Sequence, residues 1–184
     1  MNKEFQNLIT LIRKLAYKEG DFTLASGKKS MFYVDIKNLS LHPLGAQAIA
    51  DCAWLKLKSR DFAGVGGPTL GADPISTAIS LKALALGVEV PAFIIRKEPK
   101  AHGTTQWIEG QDNLRPGSRL LLIEDVVTTG GSSLKAIEKV RDAGFIVDTL
   151  LCVLDRKEGG EEALKSARVQ LISLTTIDEI KKAS

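Results

Sequence analysis

From Pro43 onward the chain alternates between apolar runs and segments with helical spacing, and this alternation limits the folds available to it. Helical patterns cover about 43–57, 74–86, 134–143 and 161–165, and apolar runs cover 62–65, 90–95, 120–123, 145–154 and 169–174. The runs are apolar at nearly every position, which is typical of strands covered on both faces. The order of these elements therefore predicts an α/β fold with a parallel sheet flanked by helices.

The first 40 residues follow a different pattern, which predicts a helix and a small hood. Apolar residues from Phe5 to Ala16 fall at helical spacing, and we expect Gly20 to end this helix. Two short strands over 22–24 and 31–34 flank a polar, basic turn. At the other end of the chain, Thr176 and Glu179 have capping-box spacing and predict a last helix.

Length and charge restrict the class of protein. The 184 residues predict one domain over 1–184, with the N-terminal helix and hood in 1–40 and the core in 41–184. The 25 basic and 22 acidic residues nearly cancel, so we expect no nucleic-acid partner and no membrane partner. Cys52 and Cys152 lie in apolar stretches, which predicts reduced thiols, and no N-terminal signal segment is visible. These features indicate a cytoplasmic protein.

The segment from Leu120 to Ser133, LLLIEDVVTTGGSS, has the most specific chemistry in the sequence. An apolar run is followed by two acids and then by a hydroxyl-rich and glycine-rich turn that opens a helix. Backbone N–H groups and hydroxyls over 128–132 can surround a phosphate at the positive end of that helix. Glu124 and Asp125 follow the strand, where open parallel sheets bind ligands. They suit a sugar diol, a ligand accompanied by a divalent metal, or a cationic transition state. Together these parts predict a ribose 5-phosphate pocket.

Each part alone has a simpler interpretation. The two acids are also typical of a solvated strand end, and the turn is also typical of an ordinary helix N-cap. Other phosphate motifs are missing from the sequence: there is no Gly-x-x-x-x-Gly-Lys-Ser/Thr, and 64–69 lacks the third glycine of the dinucleotide fingerprint. The phosphate site is therefore predicted by the combination of parts.

Residues 96–118 interrupt the alternating pattern and show no periodicity of their own. A loop of this length in a compact domain is usually a functional lid or disordered, and we expect a mobile loop over about 97–110. Arg96, Lys97, Lys100 and His102 fall in this region. Their charges and hydrogen-bond donors suit phosphate oxygens, although a solvated basic loop is the simpler alternative.

The segment 120–133 closely resembles the phosphoribosyl-diphosphate signature of the phosphoribosyltransferases. Three further segments narrow the resemblance to the orotate phosphoribosyltransferase family: FTLASGKKS with FYVD over 22–35, RKEPKAHGT over 96–104, and LDR over 154–156. The resemblance implies a Rossmann-like type I phosphoribosyltransferase fold. It also implies transfer of the phosphoribosyl group from 5-phosphoribosyl 1-diphosphate (PRPP) to orotate, giving orotidine 5′-phosphate and diphosphate in pyrimidine biosynthesis.

The resemblance further implies a Mg²⁺ ion held mainly by substrate and water, and a homodimer with shared active sites. Lys100, which would reach into the neighbouring subunit's site, and Asp125 are expected to be catalytic. Orotate is expected to contact Thr128 and Arg156, with Phe32 or Tyr33 closing over its ring. The other residues expected to bind PRPP, with Lys100, Asp125 and Thr128, are Arg96, Lys97, His102, Glu124, Val126, Val127, Thr129, Gly130, Gly131 and Ser132.

The chain departs from the family pattern at two places. Ala25 in the hood and the segment 67–74, which includes Gly71, stand where members of the family often have lysine. Two fewer cations near the ligand leave the choice of base open, so a phosphoribosyltransferase for another nucleobase is a second hypothesis. A regulator that senses PRPP and binds nucleic acid is a third, but the sequence has no helix-turn-helix pattern.

Overall fold

The computed structural model describes residues 2–23, 27, 29–99 and 106–183, and within these ranges a six-stranded sheet has helices on both faces. The sheet strands are β3 (Val65–Pro68), β4 (Ala92–Ile95), β5 (Ile108–Glu109), β6 (Leu121–Val127), β7 (Thr149–Asp155) and β8 (Gln170–Thr176). The helices are α1 (Lys3–Leu15), α2 (Lys37–Ser40), α3 (Pro43–Leu57), α4 (Ala72–Ala85), α5 (Gly131–Asp142), α6 (Gly160–Ser166) and α7 (Ile177–Lys182). A separate antiparallel pair, β1 (Tyr17–Thr23) and β2 (Lys29–Val34), forms the small N-terminal sheet.

The strand order in the main sheet is β5-β4-β3-β6-β7-β8, and all neighbours are parallel except β4 and β5. The predicted α/β fold is confirmed, but the prediction of a parallel sheet missed this antiparallel edge strand. Two residues are too few to show a period in the sequence. From β3 the chain builds toward one edge and from β6 toward the other, so the topology switches between these two strands, where α/β sheets bind ligands.

Alternating side chains of the central strands form two cores, one on each face of the sheet. Leu121 and Ile123 of β6 pack into the core made with α1, α3, α4 and α7. Leu122 points to the opposite face and packs against α5 and α6. Because both faces are covered, the strands are apolar throughout rather than alternating, as the sequence pattern indicated.

The N-terminal helix ends earlier than predicted. α1 stops at Leu15, where the N–H of Ala16 donates to the carbonyl of Ile12, and the chain enters β1 at once. Gly20 lies inside β1 and does not end the helix, so that prediction was wrong. At the C-terminal end, Thr176 and Glu179 form both hydrogen bonds of the predicted capping box.

Strand β3 lies three residues later than the apolar run that predicted it. Its glycines gave no hydrophobic signal, but packing requires them. A Cβ on Gly66 would meet the Phe93 carbonyl and a Cβ on Gly67 would meet the Ile123 carbonyl, since the neighbouring backbones lie so close.

Among the residues the structure describes, no helix has both the length and the apolar character to cross a membrane.

Candidate active site

A cleft opens at the switch point between β3 and β6. These strands pair at Val65 with Leu121 and at Gly66 with Leu122, and the ladder ends there. The resulting cavity has a volume of about 340 Å³. It is lined by Pro68, Thr69, Gly71, Ile95, Arg96, Lys97, Glu124, Asp125, Ser132, Lys135, Ala136 and Lys139.

The two acids lie inside β6, because this strand extends to Val127 rather than ending before them as predicted. Adjacent side chains of a strand point to opposite faces. Glu124 therefore turns toward α5, and Asp125 turns toward α2 and the segment before α4. Both carboxylates still border the same cleft, because the pairing of β3 with β6 ends before that level.

Glu124 is held by the first turn of α5. Its carboxylate is 5% exposed, and the hydroxyls of Ser132 and Ser133 each donate to Oε1 at 3.1 Å. Burial, and then the negative charge of Asp125, raise the pKa of Glu124 to about 7, although the two serine hydrogen bonds act in the opposite direction. Glu124 can thus accept or release a proton near neutral pH.

Asp125 is held from the other face. Its Oδ1 accepts the N–H of Val126 at 2.9 Å, and its Oδ2 lies 3.7 Å from Nζ of Lys37. Lys37 also pairs with Asp35 at 2.9 Å. The hydrogen bond that Lys37 donates to Asp35, and then the charge of Asp125, raise the pKa of Lys37, although burial acts in the opposite direction. A Cβ on Gly71 would lie 2.5 Å from the Asp125 carboxylate, so the backbone passes directly beside this acid.

The turn predicted to bind phosphate connects β6 to α5, which begins at Gly131 rather than near Ser133. Gly130 caps the helix at φ +83°, a conformation that favours glycine. Gly160 of α6 packs against the carbonyl of Thr128 and leaves no space for a Cβ there. The unpaired N–H groups of the first helical turn follow directly, an arrangement suited to an anion.

The start of the predicted mobile loop borders the same cleft. Arg96 and Lys97 follow β4 and line the cavity. The guanidinium of Arg96 donates to Glu109 Oε1 at 2.6 Å and to the carbonyl of Glu98 at 3.1 Å. Lys100 and His102 lie outside the described residues, so their predicted roles stay predictions.

Residues predicted to bind orotate meet at the ends of β6 and β7. Val127 pairs with Asp155, so Thr128 and Arg156 are the next residues on two neighbouring strands. Cζ of Arg156 lies 5.3 Å from the ring centroid of Phe32. Tyr33 occupies the other face of β2, is 42% exposed and packs against Phe22 at 5.6 Å, so Phe32 is the hood ring nearest this arginine.

Three lysines at the cleft were missed in the sequence. Lys37 is in a four-residue helix that the pattern did not reveal, and it contacts Asp125 only through the fold. Lys135 and Lys139 follow the glycine-rich turn with helical i, i+4 spacing, so their common face could have been noticed. Among the described residues, no group of three or more His, Cys, Asp or Glu is arranged to hold a metal ion.

Comparisons with known proteins agree with this architecture. The phosphoribosyl transferase domain family matches residues 36–181. An orotate phosphoribosyltransferase of Nostoc sp. is 44% identical over 177 residues, covering 96% of this chain and 85% of the relative. A crystal structure of Mycobacterium tuberculosis orotate phosphoribosyltransferase with Fe(III) dicitrate is 36% identical with a TM-score of 0.85, covering 96% and 98% of the two chains. A structure of that enzyme with PRPP is 32% identical with a TM-score of 0.81, covering 97% and 99%.

Proposed function

The chain belongs to the phosphoribosyltransferases, and within them to the orotate phosphoribosyltransferases, and on that premise we propose how its residues perform the reaction. It transfers the phosphoribosyl group of PRPP to orotate, giving orotidine 5′-phosphate and diphosphate, as a step of pyrimidine biosynthesis. The observation that supports the residue assignments most directly is the cleft itself, which joins two carboxylates, Ser132 in the first turn of α5 and several cations.

The reaction separates charge, and the cleft offers groups for both sides. As the bond from ribose C1 to the diphosphate breaks, positive charge develops on the ribose ring and negative charge on the leaving group. We assign Glu124 and Asp125 to the ribose, where they accept hydrogen bonds from its hydroxyls and stabilise the cationic ring. Arg96, Lys97 and the loop residues Lys100 and His102 are assigned to the departing diphosphate.

The 5′-phosphate is assigned to the turn between β6 and α5. The N–H groups and hydroxyls over 128–132 surround one anion, and the dipole of the twelve-residue α5 favours negative charge at its N-terminus. The residues assigned to this part of PRPP are Val126, Val127, Thr128, Thr129, Gly130, Gly131 and Ser132. Gly130 and Gly160 are needed because the turn passes close to α6.

Orotate is assigned to the space beside Arg156 and Thr128. The guanidinium can pair with the orotate carboxylate or a ring carbonyl, and the ring of Phe32 can cover the base. Tyr33 remains a further candidate from the family resemblance, since it follows Phe32 directly in β2. Arg156 already holds Glu158 at 2.9 Å, so its position in the site does not depend on orotate.

A Mg²⁺ ion fits this donor set, but only as part of the substrate complex. Asp125 and Glu124 offer carboxylate oxygens of the kind that Mg²⁺ accepts, and the described residues form no cage around them. Most ligands of the ion would therefore come from diphosphate, ribose and water. When bound, the ion neutralises diphosphate charge. Activity that persists unchanged in EDTA would contradict this assignment.

We also propose a homodimer with shared active sites. Leu41, Leu70 and Leu81 line one apolar groove between α2 and α4 and are 74%, 67% and 62% exposed. The same groove reaches Lys37, which contacts Asp125, so a second copy covering it would lie beside the active site. Mixing the Lys100→Ala and Asp125→Asn variants should restore activity, because some mixed dimers then contain one complete site. No recovery would contradict shared sites.

The domain organisation and location remain proposals as well. In this proposal residues 1–184 form one domain, in which 1–40 contribute the N-terminal helix and the hood. Helix α1 packs against α3 and β8 in the core. Limited proteolysis should therefore remove β1 and β2 before it removes α1. Cys52 and Cys152 are buried free thiols, which fits a reducing cytoplasm and is tested by cell fractionation.

The decisive assay follows orotate absorbance with protein, PRPP and Mg²⁺, and runs uracil, adenine, guanine and hypoxanthine beside orotate. Loss of orotate that needs both PRPP and Mg²⁺ is the expected result. Turnover of another base in its place would contradict the proposal. In the same assay Lys100→Ala should lower kcat by about 10²-fold if this lysine stabilises the leaving group.

A further inference from the structure

We propose that Lys135 and Lys139 of α5 form a second cationic surface for the diphosphate group of PRPP, in addition to the loop that contains Lys100 and His102. This inference rests on the proposed function and assigns new residues to it. If correct, part of the diphosphate site belongs to the rigid body of the domain rather than to the loop.

The first argument is placement. Lys135 and Lys139 are four residues apart in α5, so they share one face of the helix. Both line the cleft that also contains Glu124 and Asp125. With the 5′-phosphate at the N-terminus of α5 and the ribose at the two carboxylates, the diphosphate is the remaining part of PRPP that can reach this face.

The second argument is unbalanced charge. Among the described residues, no carboxylate oxygen lies within 4 Å of the ammonium group of Lys135 or Lys139, whereas Arg96 beside them is paired with Glu109. Burial, and then the positive charge of Lys135, lower the pKa of Lys139. Two cations that share a partly enclosed cavity repel each other, and a multivalent anion between them removes that repulsion.

The third argument is that Lys139 is fixed in place. Its Nζ donates to the carbonyl of Arg96 at 3.1 Å and lies 3.8 Å from the ring centroid of Trp107. Arg96 precedes the undescribed part of the loop and Trp107 follows it, so one lysine joins both ends of that segment to α5. An ammonium group held in this way can bind an anion with little further loss of conformational freedom.

The test uses Lys135→Met, Lys139→Met and the double variant, which keep side-chain length but remove charge. Binding of inorganic diphosphate with Mg²⁺ is measured by calorimetry, and the KM values for PRPP and orotate are measured separately. We expect about 10-fold weaker diphosphate binding for each single variant and about 10²-fold for the double variant. The KM for PRPP should rise in parallel, whereas the KM for orotate should stay near the wild-type value.

Two controls separate charge from structure. Lys14→Met removes an exposed lysine of α1, which does not line the cleft. It should change neither the diphosphate affinity nor the KM for PRPP. Lys139→Arg retains the charge and should recover part of the diphosphate affinity. Because Lys139→Met also removes the contacts with the Arg96 carbonyl and the Trp107 ring, Lys135→Met is the variant that tests charge alone. Should Lys139→Met unfold, Lys135→Met still tests the proposal, because this side chain is exposed.

Wild-type diphosphate affinity in both Lys135→Met and the double variant would overturn the inference and leave the proposed function intact. A wild-type protein that binds diphosphate through these lysines but does not consume orotate would instead overturn the proposed function. The two failures are therefore distinguishable in one set of measurements.

Discussion

Replacing Glu124 with glutamine should change the pH dependence of folding stability in a predictable direction. Glu124 is almost fully buried, and its pKa is raised to about 7 from an ordinary value of 4.5. The glutamine side chain has nearly the same shape, and its Oε1 can accept the same two serine hydroxyls. The substitution therefore removes a titrating group and keeps the hydrogen bonds around it.

The size of the effect follows from the rise of the Glu124 pKa from 4.5 to about 7, which at about 1.4 kcal/mol per tenfold change in the proton affinity gives about 3 kcal/mol. Between pH 4.5 and 7 the folded protein keeps this proton while the unfolded chain releases it. The unfolded state then binds fewer protons, so wild-type stability falls as pH rises through this window. Glu124→Gln lacks this loss and should gain about 3 kcal/mol relative to wild type once pH is well above 7.

The assay is urea unfolding of wild type and Glu124→Gln at several values between about pH 5 and pH 8, without ligand. Glu138→Gln is the matched control, since Glu138 is exposed on the same helix. The difference in unfolding free energy between wild type and Glu124→Gln should grow with pH, and the difference for Glu138→Gln should stay flat. A difference for Glu124→Gln that does not vary with pH would refute the burial argument.

Three further predictions concern catalysis. Gly71→Ala should lower kcat/KM by about 10-fold or more, with unchanged circular dichroism, because its Cβ displaces the Asp125 carboxylate; a wild-type rate would mean that this carboxylate need not be fixed. Arg156→Ala should raise the KM for orotate by about 10-fold or more and leave the KM for PRPP nearly unchanged, and equal rises in both would contradict its assignment to the base. Lys37→Met should lower kcat about 3-fold to 10-fold through Asp125, with recovery in Lys37→Arg; no change in Lys37→Met would exclude this contact from catalysis.

Residues that act through local sequence were predictable, and residues that act through long-range contacts were not. The signature over 120–133 placed Glu124, Asp125 and the turn correctly at one end of the sheet because a strand, a turn and a helix are consecutive in the chain. The sequence did not predict that the side chains of these two acids point to opposite faces of the sheet, because this requires β6 to extend past them. Lys37 was missed because it reaches Asp125 from 88 positions away.

The same distinction applies to the departures from the family pattern. Only glycine fits at position 71, because the Asp125 carboxylate occupies the adjacent space. This contact forms when the segment before α4 packs beside β6, so the sequence alone does not predict it. A lysine at this position would begin its side chain inside that carboxylate. Ala25 lies outside the described residues, so the effect of the missing hood lysine stays a prediction.

The antiparallel edge strand sets a limit on how far the predicted mobile loop can extend. β4 ends at Ile95 and β5 begins at Ile108, and their pairing holds the two ends of the intervening segment about 5 Å apart, one strand spacing. Twelve residues that leave and return to nearly the same point can extend no more than about 20 Å, half their contour length. If active sites are shared as proposed, the neighbouring site that receives Lys100 or His102 must lie within that radius, plus the length of the side chain, of this sheet edge.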